Sequence, residues 1–370
     1  MTQNTALRIL VCTGHTGGHF FPAASFAEAF LAEHPEAEVH LLISRATSLA
    51  QAYVSRPRFH IHVIPCSAIP SFFSFKMVLF LLEYGVAFWK TLLLFWRLRP
   101  KLVMGFGSYG SVPGVLCGAL FQVPILLHEQ NAVAGRANRF LASFAHRMAT
   151  SFPETRGISS PKVFWTGYPL RSSFWEAVHA NPERKELRNS FTVLVVGGSQ
   201  GAKRLNEAFL GFFRSLKSEE RADFAVIHIT GSRDFESVKA AYEQLGGKAQ
   251  VFDFSHHMAE LYREADLVIS RAGAGTIFEL AALGKAAVLV PYPHAYAHQR
   301  QNAAYLVEQQ AAWMIEEKDL SGDILREAVI ALYRDPKRKQ IFETNIKRLA
   351  NREAGHLLTE NTWSLMCEKN

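Results

Sequence analysis

His19 closes the run Gly14-His15-Thr16-Gly17-Gly18-His19, which separates a strand-like apolar run from a helical pattern. An imidazole can take or give a proton near neutral pH, so at the ligand edge of a parallel sheet His19 is a candidate general base. Its alternative role is that of a first-turn helix residue satisfied by the backbone. Two more turns of similar build follow, Gly197-Gly198-Ser199-Gln200-Gly201-Ala202 and Arg271-Ala272-Gly273-Ala274-Gly275-Thr276. Glycine lets the backbone turn tightly and approach a ligand. The helix start behind each turn offers unpaired N–H groups and partial positive charge, which suit phosphate. One such turn says little; three, spread over both halves of the chain, imply a phosphorylated ligand gripped in a cleft.

Other polar groups sit where open α/β sheets bind ligands. His128-Glu129-Gln130-Asn131 follows a buried strand, with ligand binding as one role and capping of a helix near Ala134 as the other. Glu279 lies three residues after Thr276, so a capping box is one reading and a carboxylate that accepts both hydroxyls of a ribose is another. The first turn is Gly-x-x-Gly-Gly and the second strand ends at Ser44-Arg45, which argues against a dinucleotide fingerprint and its acidic ribose ligand. His294 and His298 have no third ligand or flanking acid, and there is no Asp-x-Asp. No metal-binding motif is encoded, and the sequence requires no cofactor.

The elements that must position these residues alternate between strand and helix. Leu7–Cys12, Val39–Ser44, Ile61–Pro65, Lys101–Met104 and Pro124–His128 read as strands, and Phe20–Leu31 carries apolar residues at helical spacing. Gly105-Phe106-Gly107-Ser108-Tyr109-Gly110 follows the fourth strand. A polar stretch, Asn181–Ser190, precedes a second series of strands at Thr192–Val196, Ala225–Thr230, Ala249–Phe252, Leu267–Ser270 and Ala287–Val290. The pattern predicts an α/β protein of two Rossmann-like domains with parallel sheets, joined by a linker at about 171–190. The domains expected are 1–170 and 171–345. The charged, helical end from about 336 is expected to pack back on the first domain, through a last helix at about 346–370.

Bulk properties agree. A chain of 370 residues exceeds one comfortable core, and 49% apolar with 20% charged residues describes a folded globular protein. The net charge of +7 and pI near 9.2 favour anionic partners. Nucleic acid is not expected among them, because the basic residues are dispersed and no reader motif appears. The four cysteines are far apart, without metal-ligand spacing, and fit a reducing cytoplasmic setting, with Cys12 as core filling. No signal peptide is expected, since the first strand runs straight into the first glycine turn.

Phe72–Trp96 is rich in Phe, Leu and Trp, yet no uncharged run in it approaches the roughly 18 residues of a spanning helix. Lys76, Glu83, Lys90 and Arg97 recur every seven residues and form one narrow polar stripe on a helix. Two readings stand: helices packed on the sheet with one face wet, or an aromatic, basic surface that enters a membrane interface. The flanking Arg97, Arg99 and Lys101 fit the second.

Taken in order, Thr16-Gly17-Gly18-His19-Phe20-Phe21-Pro22, Gly105-Phe106-Gly107-Ser108-Tyr109, His128-Glu129-Gln130-Asn131, the second and third glycine turns, His298-Gln299 and Asn302-Ala303 resemble the MurG family. These are UDP-N-acetylglucosamine:lipid-linked N-acetylmuramyl-peptide N-acetylglucosaminyltransferases, and the resemblance spans roughly residues 7 to 315. It implies a GT-B fold and an inverting transfer from UDP-N-acetylglucosamine to the 4-hydroxyl of undecaprenyl-diphosphate-linked muramyl-pentapeptide, lipid I to lipid II. By the same resemblance His19 would be the base, and Thr16, Gly17 and Gly18 would line the donor phosphate and acceptor side. Asn131 would face the donor sugar, and Arg171 and Ser199 the nucleotide. The backbone near Ser255 would read uracil, Ala274, Gly275 and Thr276 would hold phosphate, Glu279 the ribose and Gln299 the N-acetylglucosamine hydroxyls. An anionic membrane surface and other cell-wall synthesis proteins are the further partners implied, with a peripheral location on the cytoplasmic face of the inner membrane. Two rivals are a related GT-B enzyme that glycosylates a diacylglycerol and a non-catalytic relative that binds nucleotide sugar or membrane. Here Tyr168 replaces the asparagine of the family's Gly-Asn-Pro, and Ala297 stands where an acid is common.

Overall fold

Between its ends Arg8–Thr13 is apolar at every position, and it forms β1, buried from Ile9 onward. A strand apolar on both faces must be covered on both sides. Ile9 and Val11 enter one core with Phe20, Phe26 and Phe30, while Leu10 and Cys12 join Phe95, Val115 and Leu127 in the other. The structure, a computed structural model, describes residues 7–47, 50–51, 53, 56–67, 75–158, 162–179, 190–198, 201–293 and 298–368. It divides into two units, Met1–Arg171 with Asn351–Asn370, and Ser172–Ala350.

In the first unit β1 is followed by β2 (Glu38–Ile43), β3 (Phe59–Val63), β4 (Leu102–Gly105), β5 (Ile125–Glu129), β6 (Arg147–Thr150) and β7 (Val163–Trp165). All pairs are parallel, in the order β3-β2-β1-β4-β5-β6-β7. The helices are α1 (Gly17–Glu33), α2 (Phe75–Leu98), α3 (Val112–Leu120) and α4 (Arg136–Leu141). The strand order reverses between β1 and β4, so the loops after those strands flank the crevice where open sheets bind ligands. Those loops are the first glycine turn and Gly105–Gly110.

The second unit comprises α5 (Ser172–His179), β8 (Phe191–Val196), α6 (Lys203–Ser215), α7 (Ser218–Ala222), β9 (Phe224–Ile229), α8 (Phe235–Leu245), β10 (Lys248–Phe252), α9 (Met258–Glu264), β11 (Leu267–Ser270), α10 (Ala274–Leu283), β12 (Ala287–Leu289), α11 (His298–Glu308), β13 (Trp313–Met314), α12 (Gly322–Arg334) and α13 (Pro336–Lys347). Its parallel sheet runs β10-β9-β8-β11-β12-β13, with the reversal between β8 and β11. The second and third glycine turns follow these two strands.

Three sequence expectations change. The expected linker at about 171–190 begins as helix α5, whose Phe174 and Ala177 are buried, and 180–189 lie outside the described residues. The short strands β6, β7 and β13 were not expected. Of the end from about 336, α13 stays with the second unit, its Lys347 lying over Gly284; α14 (Ala354–Cys367) belongs to the first. Leu358, Leu365 and Met366 of α14 join the Phe26 and Phe30 core, and Trp363 stacks on His34 at 4.3 Å between ring centroids.

Within Phe72–Trp96 the described part is the single helix α2. Ala87, Thr91 and Phe95, spaced four apart, are buried against the sheet. Val78, Leu79, Leu82, Val86, Trp89, Leu93 and Trp96 are exposed, Leu82 by 63% and Trp89 by 61%. By length and composition alone Met77–Leu98 could cross a bilayer. Its inner face is instead part of the first unit's core, and Tyr84 Oη donates to the Tyr109 carbonyl at 3.0 Å.

Candidate functional site

The first unit gathers its polar motifs on one backbone carbonyl. Phe106 N–H donates to Cys12 C=O at 2.8 Å, which fixes the start of the Gly105–Gly110 loop beside the end of β1. Its own carbonyl accepts from His19 Nδ1 at 3.0 Å and from Gln130 Nε2 at 3.1 Å. A carbonyl oxygen only accepts, so Nδ1 of neutral His19 carries the proton and Nε2 presents a lone pair. The ring is thereby held in the tautomer a base requires. Gln130 Nε2 also reaches His128 Nδ1 at 3.2 Å, and His128 Nε2 faces the Gly167 carbonyl at 3.3 Å. Full burial lowers the His128 pKa to about 4, so this ring is a neutral relay within the core.

Glu129 shapes the loop that follows β5. Its Oε1 accepts from the N–H and Nδ2 of Asn131, both at 3.0 Å, and its Oε2 from Gly135 N–H at 3.0 Å and Asn138 Nδ2 at 2.8 Å. Four accepted bonds occupy the carboxyl group. They set the position of the Asn131 amide. The helix expected near Ala134 starts two residues later, at Arg136, with Gly135 as its cap.

Around the first turn Thr16 caps α1 in extended conformation without a side-chain bond to the helix. His19 and Phe20 N–H both go to the Thr16 carbonyl, so the amides of Gly17 and Gly18 precede the first helical bonds. A Cβ on Gly18 would meet no atom within 4 Å, so packing does not demand glycine there. Space is left where a ligand would lie. His15, which sequence reasoning passed over, bonds through Nδ1 to Ser44 Oγ at 2.9 Å. Burial first, then Arg45 and His19, lower its pKa from the ordinary histidine value. Arg171 lies 4.4 Å over the Phe21 ring of α1.

In the second unit Gly201 has φ +73° and a Cβ there would lie 2.6 Å from the Thr230 carbonyl oxygen, so the second turn requires glycine at that point. Ser199 lies outside the described residues. Ser255 Oγ accepts from His257 N–H at 3.0 Å and folds the loop after β10 into a tight turn. The third turn is held from behind. Arg271 pairs with Glu317 and donates to the Val290 carbonyl at 3.2 Å, and Asn302 Nδ2 donates to Ala272 C=O at 3.2 Å. Arg271 is therefore turned inward, and Ala274, Gly275 and Thr276 present their amides at the start of α10.

Gly273 caps α10, with no side-chain cap bond. Thr276 and Glu279 are then residues three and six of the helix, and the capping box expected from their spacing does not form. Glu279 is half-buried on α10. Gln299 Oε1 accepts from Tyr292 N–H at 2.9 Å, which leaves its Nε2 as the donating side. Ala297 and His294 lie outside the described residues.

Residues 9–150 match the glycosyltransferase family 28 N-terminal domain and residues 192–356 the glycosyltransferase family 28 C-terminal domain. A Geobacter sulfurreducens protein named UDP-N-acetylglucosamine--N-acetylmuramyl-(pentapeptide) pyrophosphoryl-undecaprenol N-acetylglucosamine transferase is 35% identical, over 96% of this chain and 97% of its own. A Desulfotalea psychrophila protein of the same name is 37% identical, over 96% and 95%. The crystal structure of Acinetobacter baumannii MurG superposes with a TM-score of 0.76 at 27% identity, covering 97% of this chain and 99% of that one. The S. aureus MnaA-UDP co-structure, at 12% identity and a TM-score of 0.69 over 95% and 94% of the two chains, is alike in fold alone.

The tautomer assigned to His19 is measurable. Nitrogen-15 NMR of the neutral ring should show a pyrrole-like Nδ1 and a pyridine-like Nε2; the opposite assignment would mean that the Phe106 carbonyl does not hold the ring.

Proposed function

The chain belongs to glycosyltransferase family 28, and from that premise we propose that it moves N-acetylglucosamine from UDP-N-acetylglucosamine to the 4-hydroxyl of lipid-linked N-acetylmuramyl-pentapeptide, lipid I to lipid II of peptidoglycan synthesis. The observation that carries this is the likeness to transferases of that name through both units. The diacylglycerol-glycosylating alternative is not favoured by it. A non-catalytic role would leave the construction around His19 without a use.

The acceptor oxygen attacks the anomeric carbon, the bond from that carbon to the diphosphate breaks, and the sugar inverts to a β-linkage as UDP leaves. The hydroxyl proton goes to His19 Nε2, the lone pair left by the bond to Phe106. Positioned proton transfer of this kind contributes about 100-fold or more. Negative charge grows on the leaving diphosphate, and pre-oriented amides at helix starts meet it without reorganising. Those are Gly17 and Gly18 behind Thr16, and Ala274, Gly275 and Thr276. The remaining roles are Arg171 and Ser199 beside the nucleotide, Ser255 by the uracil, Glu279 at the ribose hydroxyls, and Asn131 and Gln299 at the donor sugar. The first unit serves the acceptor and one side of the donor, and the second holds the rest of the donor.

The lipid acceptor requires the enzyme to work at a bilayer surface. The outer face of α2 suits peripheral binding to the cytoplasmic side of an anionic inner membrane, with Arg97, Arg99 and Lys101 exposed at its end. Each such cation contributes about 1 kcal/mol near an anionic surface, whereas each large apolar side chain buried contributes about 1.5–3 kcal/mol. Apolar insertion therefore dominates and the cations select anionic lipid. Phe73 lies outside the described residues, and Phe80 is half-buried, its ring 4.5 Å from Tyr84. Leu82 and Trp89 are the exposed choices.

Turnover of the UDP-sugar should require lipid-linked muramyl-pentapeptide. Equal or faster transfer to diacylglycerol would overturn the acceptor reading. Glu279→Gln removes the charge with the least change of shape and should weaken UDP binding by about 1.5–3 kcal/mol. Unchanged UDP affinity in calorimetry would remove Glu279 from the donor site. In flotation the protein should rise with anionic vesicles and be released by Leu82→Ser with Trp89→Ser, and partly by salt. Recovery in the soluble fraction with neutral and anionic lipid alike would contradict the membrane role of α2.

A further inference from the structure

At the amino-terminal ends of β2 and β3, opposite the glycine turns, three side chains converge. His40 pairs in register with His60, and their rings stack at 4.7 Å. One ligand atom from each of Glu38, His40 and His60 lies within 4.8 Å of the others. His40 is 5% exposed, and its Nε2 has no hydrogen-bond partner. The other ring nitrogen, Nδ1, lies 3.0 Å from His62 Nε2. His40 Nε2 faces Glu38 Oε2 at 3.7 Å, beyond hydrogen-bond distance. Glu38 Oε2 is held by Arg8, and His40 Nε2 is the buried atom left without a partner.

We propose that Glu38, His40 and His60 form a binding site for one divalent transition-metal ion of the zinc class. Two imidazoles and a carboxylate suit zinc and its neighbours and not magnesium. Ligands at zinc distances of about 2.0–2.2 Å in tetrahedral array stand about 3.3 Å apart, and here one ligand atom from each residue lies within 4.8 Å of the others. Rotation of exposed His60 closes the remainder. Arg8 Nε donates to Glu38 Oε2 at 2.7 Å, which orients the carboxylate and leaves Oε1 for the ion. His62 does the same for His40, as outer-shell partners of metal-bound histidines do. The fourth position is open to solvent on the His60 side. The linear sequence hides the site because its ligands come from two strands. The ion joins edge strand β3 to β2, away from the residues assigned to sugar transfer.

Cobalt(II) is the probe, added to the full chain after chelator treatment. One equivalent should produce a visible ligand-field band, which zinc(II) displaces and magnesium(II) does not, and zinc(II) should raise the thermal midpoint. Glu38→Gln and His60→Ala sit at half-buried and exposed positions where folding survives, which circular dichroism checks. Each should weaken cobalt binding at least ten-fold and abolish the thermal shift, while His356→Ala, at another exposed histidine–glutamate pair, changes neither. No saturable band, or the same band and affinity in the Glu38→Gln/His60→Ala double variant, would overturn the site.

Discussion

The bond from His19 Nδ1 to the Phe106 carbonyl is the constraint on which the arrangement of the first unit's polar motifs depends. It exists because β1 and β4 lie side by side at the strand-order reversal, so that the glycine turn after one and the glycine loop after the other meet. The same carbonyl receives Gln130 from the end of β5, so three adjacent strands converge on one oxygen. Two accepted bonds fill its two lone pairs. The loop is held from its other side by Phe106 N–H on Cys12 and by Tyr84 of α2 on Tyr109. The helix that carries the apolar outer face is thus tied directly to the loop that holds His19.

In the proposed reaction the second unit would meet the charge of a diphosphate with little use of side-chain cations. Arg271 stands in the third turn, where a phosphate ligand would be looked for, yet its guanidinium is spent on Glu317 and on backbone carbonyls. What faces outward is backbone amide. An amide array is fixed by the fold, so it favours the charge that develops during bond breaking without a change in protonation. Arg271 acts by holding the turn in shape.

Much of this was legible in the chain. Continuous apolar runs bounded by glycine turns predict parallel strands with their turns at the ligand edge, and β1, β4, β5, β8 and β11 are found within a residue or two of the expected places. The illegible parts have physical causes. β13 is two residues long and β7 three, too short for a periodic signal. The Thr276–Glu279 spacing mimics a capping box, but Gly273 takes the extended cap conformation and starts the helix three residues earlier. Helix α5 holds its place through Phe174 and Ala177, a stripe too brief to stand out from a polar stretch. The partner of His19 is a backbone carbonyl 87 residues away, a contact that no local pattern encodes. His15 escaped notice for the same reason, since its partner Ser44 follows a different strand.

If the Phe106 carbonyl holds His19 as the base, removal of the imidazole must harm the chemical step and spare the donor. The direct measurement is kcat at saturating substrates together with UDP affinity for His19→Ala beside the unaltered enzyme. The account predicts a fall in kcat of about 100-fold or more with UDP affinity little changed. Collapse of UDP binding, with normal turnover for each donor bound, would contradict it and make His19 a binding contact.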